Sequence, residues 1–251
     1  MVKIGTEVFR DLPAKHVISA LLDSIDFLKV HSYEAELAEL NLPCDFIQTT
    51  ATLAAEDPIS QKQLWHVLAK FLRPGDIVLS ETGTAGYGVR EMPLPANTRV
   101  FTPVTWLSIG YMLPAAQGAA LAQRDGCLSS KSPSGGQTIL LIDDGSFQMT
   151  AQELSLIIRH DLNMMIFLLN NNRYTIKRCI YGRNQSYNNI AKWRYLEAPS
   201  FFGARKGTFT ASVGTWGELK AALKHDRLNS GMGLKMVEIL VDEADVPEGP
   251  L

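Results

Sequence analysis

Two clusters of oxygen-bearing residues carry the chemistry this chain could do. Asp143-Asp144-Gly145-Ser146 follows the apolar run Ile139-Leu140-Leu141-Ile142, and Asn170-Asn171-Asn172-Arg173-Tyr174-Thr175 follows a second apolar run, Met164 to Leu169. A helical pattern begins after Ser146, and a helix N-terminus presents unpaired N–H groups that favour a phosphate. The aspartate beside it would repel that phosphate unless a divalent cation lay between them. Mg2+ prefers about six oxygen ligands and commonly combines one or two protein groups with phosphate oxygens and water. Asp144 offers a carboxylate, Asn171 an amide oxygen, and the main chain just beyond it a carbonyl. Taken singly, Asp-Gly and Asn-Asn are residues of ordinary turns. Their placement at two strand ends, 27 residues apart with one helix between, sets them side by side. Parallel sheets carry their sites at the carboxyl ends of strands.

The elements that must position these clusters alternate from Ile59 onward. A helix from about Gln61 to Leu72, with Leu64, Val67, Leu68 and Phe71 on one face, leads to the strand Ile77-Val78-Leu79-Ser80. Glu81-Thr82-Gly83-Thr84 follows, a turn whose N–H and hydroxyl groups suit an anion. A second helix is expected from about Leu107 to Gln123, with Pro114 marking a bend or a late start. The Ser- and Gly-rich stretch from Asp125 to Gln137 reads as a surface loop. Beyond Ser146, Phe147, Ala151, Leu154 and Ile158 give one face of a helix lying on the sheet. After Tyr174 the reading is a polar loop, then a helix around Tyr187 to Tyr195 with Trp193 and Tyr195 in the core. Thr208 to Val213, a helix from Trp216 to Leu223 and the strand Lys235 to Val241 complete the pattern. The fold class is α/β: a doubly wound parallel sheet flanked by helices, over residues 59–251. Residues 1–58 read as one amphipathic helix, about Ala14 to Val30, and a linker, a remnant of a preceding domain.

Composition excludes several classes. A net charge of -2 argues against a nucleic-acid surface. Cys44, Cys127 and Cys179 are too few and too scattered for a zinc site or a disulfide framework. The longest central apolar run, Met164 to Leu169, is too short to cross a bilayer, and the first residues open no signal peptide, so the expectation is a cytoplasmic protein with no membrane partner. His16, His31, His66, His160 and His225 are expected at surface or helix-end positions. A nucleotide-binding βαβ protein is disfavoured, because no G-x-G-x-x-G follows a strand.

At its central unit the chain resembles the thiamine diphosphate-dependent 2-oxo acid decarboxylases. That family's motif is Gly-Asp-Gly, about thirty residues, then Asn-Asn, the spacing of a strand-helix-strand unit. Here it reads Asp143-Asp144-Gly145 with Asn170-Asn171, and Gly75-Asp76-Ile77-Val78, Glu81 to Thr84, Trp106 to Gly110, Gln148 to Glu153 and Phe202-Gly203-Ala204 match in the same order. The resemblance implies Mg2+ held by Asp144, Asn171 and the main-chain carbonyl of Arg173. It implies diphosphate contacts from Thr84, Gly145 and Ser146, with Tyr174 also in the cofactor site. Ile109 matches the bulky residue that bends the cofactor, and the Leu107 carbonyl matches the acceptor for its amino group. The implied substrate is a small, pyruvate-like 2-oxo acid, giving an aldehyde and carbon dioxide. The implied partners are further copies of the chain, or a pyrimidine-binding domain on another chain, since the family's activating glutamate and paired histidines have no counterpart among these residues.

Four residues depart from the family pattern. Asp143 stands for glycine and adds a charge near the metal. Leu107 and Arg173 stand where glycine is usual, which preserves their carbonyls only where φ and ψ permit. Lys177 replaces the family's active-site glutamate, an ammonium in place of a carboxyl that takes part in proton transfer. An alternative role is therefore a catalytically impaired cofactor-binding or regulatory partner of active subunits.

Overall fold

The computed structural model describes residues 2–4, 6–9, 13–26, 29, 53–129, 136–182, 184–230 and 232–246. It divides the chain into two compact units, Met1–Asp45 and Phe46–Leu251. In the first unit β1 (Val2–Ile4) pairs antiparallel with β2 (Glu7–Phe9), Val2 opposite Phe9. These strands are too short for a period-two pattern to announce them. Helix α1 (Ala14–Ser24) stops earlier than the expected Val30, because Ile25 turns extended, with φ -78° and ψ 119°. Most of the linker, with His31 and Cys44, lies outside the described residues.

The second unit is built on a six-stranded sheet of order β4-β3-β5-β6-β8-β7, parallel at every pairing. Its strands are β3 (Ile77–Ser80), β4 (Arg99–Phe101), β5 (Thr138–Asp143), β6 (Met164–Asn170), β7 (Phe209–Val213) and β8 (Leu234–Leu240). Every residue of β5 and β6 is buried, as a strand covered on both faces requires. Side chains alternate between two cores. Ile139, Leu141, Met165 and Phe167 pack with Trp65 and Leu68 of α2 (Gln61–Ala69) and with Trp216 and Leu219 of α8 (Trp216–Lys224). Leu140, Ile142, Ile166 and Leu168 pack with Leu113 and Ala116 of α4 (Met112–Ser129), Phe147 of α5 (Asp144–Thr150) and Leu154 and Ile157 of α6 (Leu154–Arg159).

Several elements differ from the sequence expectation. Helix α4 begins at Met112, five residues later than the pattern suggested, so that Pro114 falls in the first turn, where a missing N–H costs nothing. It also runs to Ser129, into the stretch read as loop, whose residues 130–135 lie outside the described set. Edge strand β4 was not anticipated. The segment expected as a polar loop after Tyr174 is helix α7 (Thr175–Tyr181). Conversely, no helix spans Tyr187 to Tyr195; two 3-10 turns, Ser186–Asn188 and Tyr195–Glu197, flank extended chain there. Tyr195 is a core residue at 3% exposure and receives the Gln148 amide at 2.7 Å, but Trp193 is 46% exposed and only leans on the Tyr195 ring. His16, His160 and His225 are exposed, whereas His66 is buried near the end of α2, and that burial, with Lys70 nearby, lowers its pKa. No helix among the described residues is long and apolar enough to cross a membrane.

Candidate functional site

Register brings the two oxygen clusters together. Asp143 pairs with Leu169 across β5 and β6, so Asp144 and Asn170 leave the sheet at neighbouring points of its carboxyl edge. Beyond that edge opens a cavity of about 860 Å3. Thr84, Leu107, Ile109, Asp144, Gly145, Ser146, Asn171, Arg173, Tyr174 and Lys177, every site residue expected from the sequence, line it.

Asp144 is the centre of the floor. It is fully buried, and its two oxygens accept from Gly145 N–H and Asn172 N–H at 2.7 Å each, tying the end of β5 to the end of β6. Burial raises its pKa to about 7, against the pull of those N–H groups. Among the described residues no lysine, arginine or histidine lies within ion-pair distance of it. Asn171, also buried, accepts Arg173 N–H at 3.2 Å, and Asn172 takes the positive φ (58°) that the turn needs. The Arg173 side chain bonds Glu243 and Asn189, and the residue lines the cavity.

The donor set suits a hard cation. The described residues contain no group of three His, Cys, Asp or Glu side chains suited to a metal. A carboxylate, an amide oxygen and a main-chain carbonyl instead leave about half of the six positions to water and ligand oxygens, a sharing usual for Mg2+. A buried carboxylate without a counter-charge is the other half of the fit. Gly145 is required by close approach, since a Cβ there would collide with the Tyr174 ring. Ser146 is buried in the first turn of α5.

The opposite wall is formed by α3 (Thr84–Gly88). Thr84 is buried at its start, and the carboxyl of Asp143 accepts Thr84 N–H at 2.9 Å and Ala85 N–H at 3.3 Å. Asp143 thus turns towards α3 while Asp144 faces the β6 end. Its burial, with Asp144 and Glu81 close by, holds its pKa well above the usual carboxylate value. Glu81, which opens the Glu81 to Thr84 match, stands next to the lining residue Thr82. It is fully buried, accepts Thr82 N–H at 2.8 Å and Met112 N–H at 3.0 Å, and has its pKa raised by burial.

Leu107 sits in the left-handed region with φ 52°, so the main chain there keeps a conformation that glycine adopts readily, at a cost of about 1–2 kcal/mol. Lys177 lies exposed in the first turn of α7, its Nζ 5.9 Å from the centre of the Tyr181 ring. Because α7 was not anticipated, neither were Ile180 and Tyr181, which join Tyr87 and Tyr187 around the mouth.

The family described as thiamine pyrophosphate enzyme, C-terminal TPP binding domain, matches residues 81–239, and this chain belongs to it. Among its relatives, the pyruvate decarboxylase of Aspergillus parasiticus is 47% identical over 98% of this chain and 43% of its own length. Pyruvate decarboxylase isozyme 2 of Saccharomyces cerevisiae is 34% identical over 98% of this chain and 42% of its own. The chain therefore spans less than half the length of these relatives. Among solved structures, benzoylformate decarboxylase from Polynucleobacter necessarius superposes with a TM-score of 0.62 at 17% identity, over 78% of this chain and 36% of that one, a likeness of fold.

Proposed function

We propose that this chain supplies the diphosphate- and Mg2+-binding half of a thiamine diphosphate-dependent decarboxylase of a small, pyruvate-like 2-oxo acid. The observation that carries the reading is Asp144: a fully buried carboxylate, without a protein counter-charge among the described residues, at the centre of a cavity walled by the family's motif residues. Asp144, Asn171 and the Arg173 carbonyl hold the cation. Thr84, Gly145 and Ser146 hold the diphosphate, with Tyr174 beside Gly145, and Ile109 supports the cofactor against the α4 side. The Leu107 carbonyl, presented by the left-handed backbone, accepts the cofactor's amino group. When bound, the cofactor supplies the electron sink that lets carbon dioxide leave a 2-oxo acid. Lys177 at the mouth offers a positive charge to the substrate's carboxylate.

The rim supports a partner. Val104, Tyr181 and Tyr187 line the cavity and are exposed, and Trp106, next to the lining residue Leu107 in the chain, is 87% exposed. A pyrimidine-binding domain from another chain, within a homo-oligomer or a mixed assembly in the cytoplasm, would cover these residues and close the cavity to water. Calorimetric titration of thiamine diphosphate with Mg2+ into this chain and into Asp144→Ala tests the reading. Binding by the unmutated chain that the variant loses supports it, and no binding by the unmutated chain overturns it.

One observation favours a second reading. The ammonium of Lys177 stands where the family places a glutamate, which suits binding without turnover, as in a regulatory partner. Carbon dioxide release from pyruvate by this chain mixed with a pyrimidine-domain partner would exclude that reading.

A further inference from the structure

We propose that Asp143 is a specificity-determining residue of the cavity: its carboxyl occupies the Thr84 and Ala85 amides, so a diphosphate takes those donors only by displacing it. The proposal rests on the cofactor reading above and goes beyond it, because it concerns a residue that departs from the family pattern. Asp143 leaves the end of β5, is nine-tenths buried, and lies on the cavity wall. One oxygen accepts Thr84 N–H at 2.9 Å and the other Ala85 N–H at 3.3 Å. The approach is close enough to dictate its neighbour. A Cβ on Gly83 would lie 2.5 Å from Asp143 Oδ2, and Gly83 also has φ 108°, so loop and carboxyl are fitted to each other.

The division between adjacent carboxyls is what gives Asp143 this role. Asp144 spends its oxygens on Gly145 and Asn172, at the end where the cation would sit, and leaves the Thr84 wall untouched. Asp143 fills that wall with an acceptor supplied by the chain. Each backbone N–H has one proton to give, so a phosphate oxygen and the carboxyl oxygen cannot both be satisfied by it. The competition holds for any ligand that presents a pyrophosphate group to this wall and is absent for one that presents none.

Titration calorimetry with Mg2+ present, on the whole chain and its Asp143→Gly and Asp143→Asn variants, tests this with thiamine diphosphate, inorganic pyrophosphate and thiamine as probes. Thermal unfolding of each variant checks that it is folded. Asp143→Gly is expected to bind both pyrophosphate-bearing probes about tenfold or more tighter, the worth of one hydrogen bond to a charged acceptor, with no gain for thiamine. Asp143→Asn keeps an oxygen for the Thr84 amide without the charge and is expected to stay within about threefold of the unmutated chain. In the unmutated chain the probes should shift the Thr84 and Ala85 amide resonances as Asp143 gives way, a readout that needs no variant to fold. Equal or weaker binding by Asp143→Gly, with the unmutated chain binding, overturns the proposal and leaves the cofactor reading standing. Unmoved amide resonances on binding do the same. An Asp143→Asn variant as tight as Asp143→Gly assigns the effect to charge and overturns occupancy. No binding by either the unmutated chain or Asp143→Gly overturns both readings.

Discussion

Asp144 on the cavity floor is fully buried with both oxygens held by backbone N–H groups, while Trp106, next to the lining residue Leu107 in the chain, is 87% exposed and apolar. The floor is tied together within this chain: Asp143 and Asp144 accept backbone N–H groups from segments that follow the strands on either side of β5, and buried Glu81 accepts Thr82 N–H and Met112 N–H. The rim, with Val104, Leu107, Tyr181 and Tyr187, leaves large apolar side chains in water. Preorganised donors and acceptors are therefore complete on one side of the cavity, and the hydrophobic driving force for closing it is left on the other.

If that contrast is sound, the floor should govern the chain's own stability and the rim should not. The largest effect is with pH. Asp144 gives up its proton near pH 7 when folded but near 3.8 when unfolded, and Asp143 and Glu81 are shifted in the same direction. Between about pH 4 and pH 7 the folded chain holds more protons than the unfolded one, so stability falls as pH rises through that window, by on the order of 3 kcal/mol from Asp144. Urea midpoints measured without Mg2+ should decline from pH 4.5 to 7.5, less steeply in Asp144→Asn. A flat or rising profile would break the account of the floor.

Next in size is Gly145→Ala. Its methyl group would meet the Tyr174 ring, and about 1–3 kcal/mol of stability should be lost on denaturation. Leu107→Gly should move stability the other way by about 0.5–1 kcal/mol, because the left-handed φ of 52° is relieved and the leucine is exposed. The smallest effect is expected for Trp106→Ala, within about 0.5 kcal/mol by the same measurement. That variant should instead weaken association with a pyrimidine-domain chain in sedimentation. A Trp106→Ala chain that unfolds easily would place the rim in this chain's own core.

Much of the sheet was legible because buried strands announce themselves. Ile77–Ser80 matches β3, and the apolar runs in β5 and β6 locate those strands to within a residue or so. Helix α7 was not legible, since Thr175–Tyr181 makes only two turns and Cys179, Ile180 and Tyr181 are exposed rather than packed in a core. The helix expected around Tyr187 to Tyr195 failed for the opposite reason: its aromatic residues mimic a core face, yet only Tyr195 is buried. His66 does lie at a helix end, in the last turn of α2, but it is buried there because Leu64, Trp65, Val67, Leu68 and Ala69 around it are all core residues.

From residue types and spacing alone come the α/β alternation and the two oxygen clusters at neighbouring strand ends. Local pattern suffices for these, because burial on both faces demands continuous apolar strands and a crossover fixes the interval between their ends. Only the tertiary structure decided which way each carboxyl faces. Asp143 and Asp144 are adjacent and chemically identical, but one turns to the amides of α3 and the other to the start of the β6 loop. Successive side chains diverge where a strand passes into a helix, and which N–H groups await each oxygen depends on segments about 60 and 28 residues away in the chain.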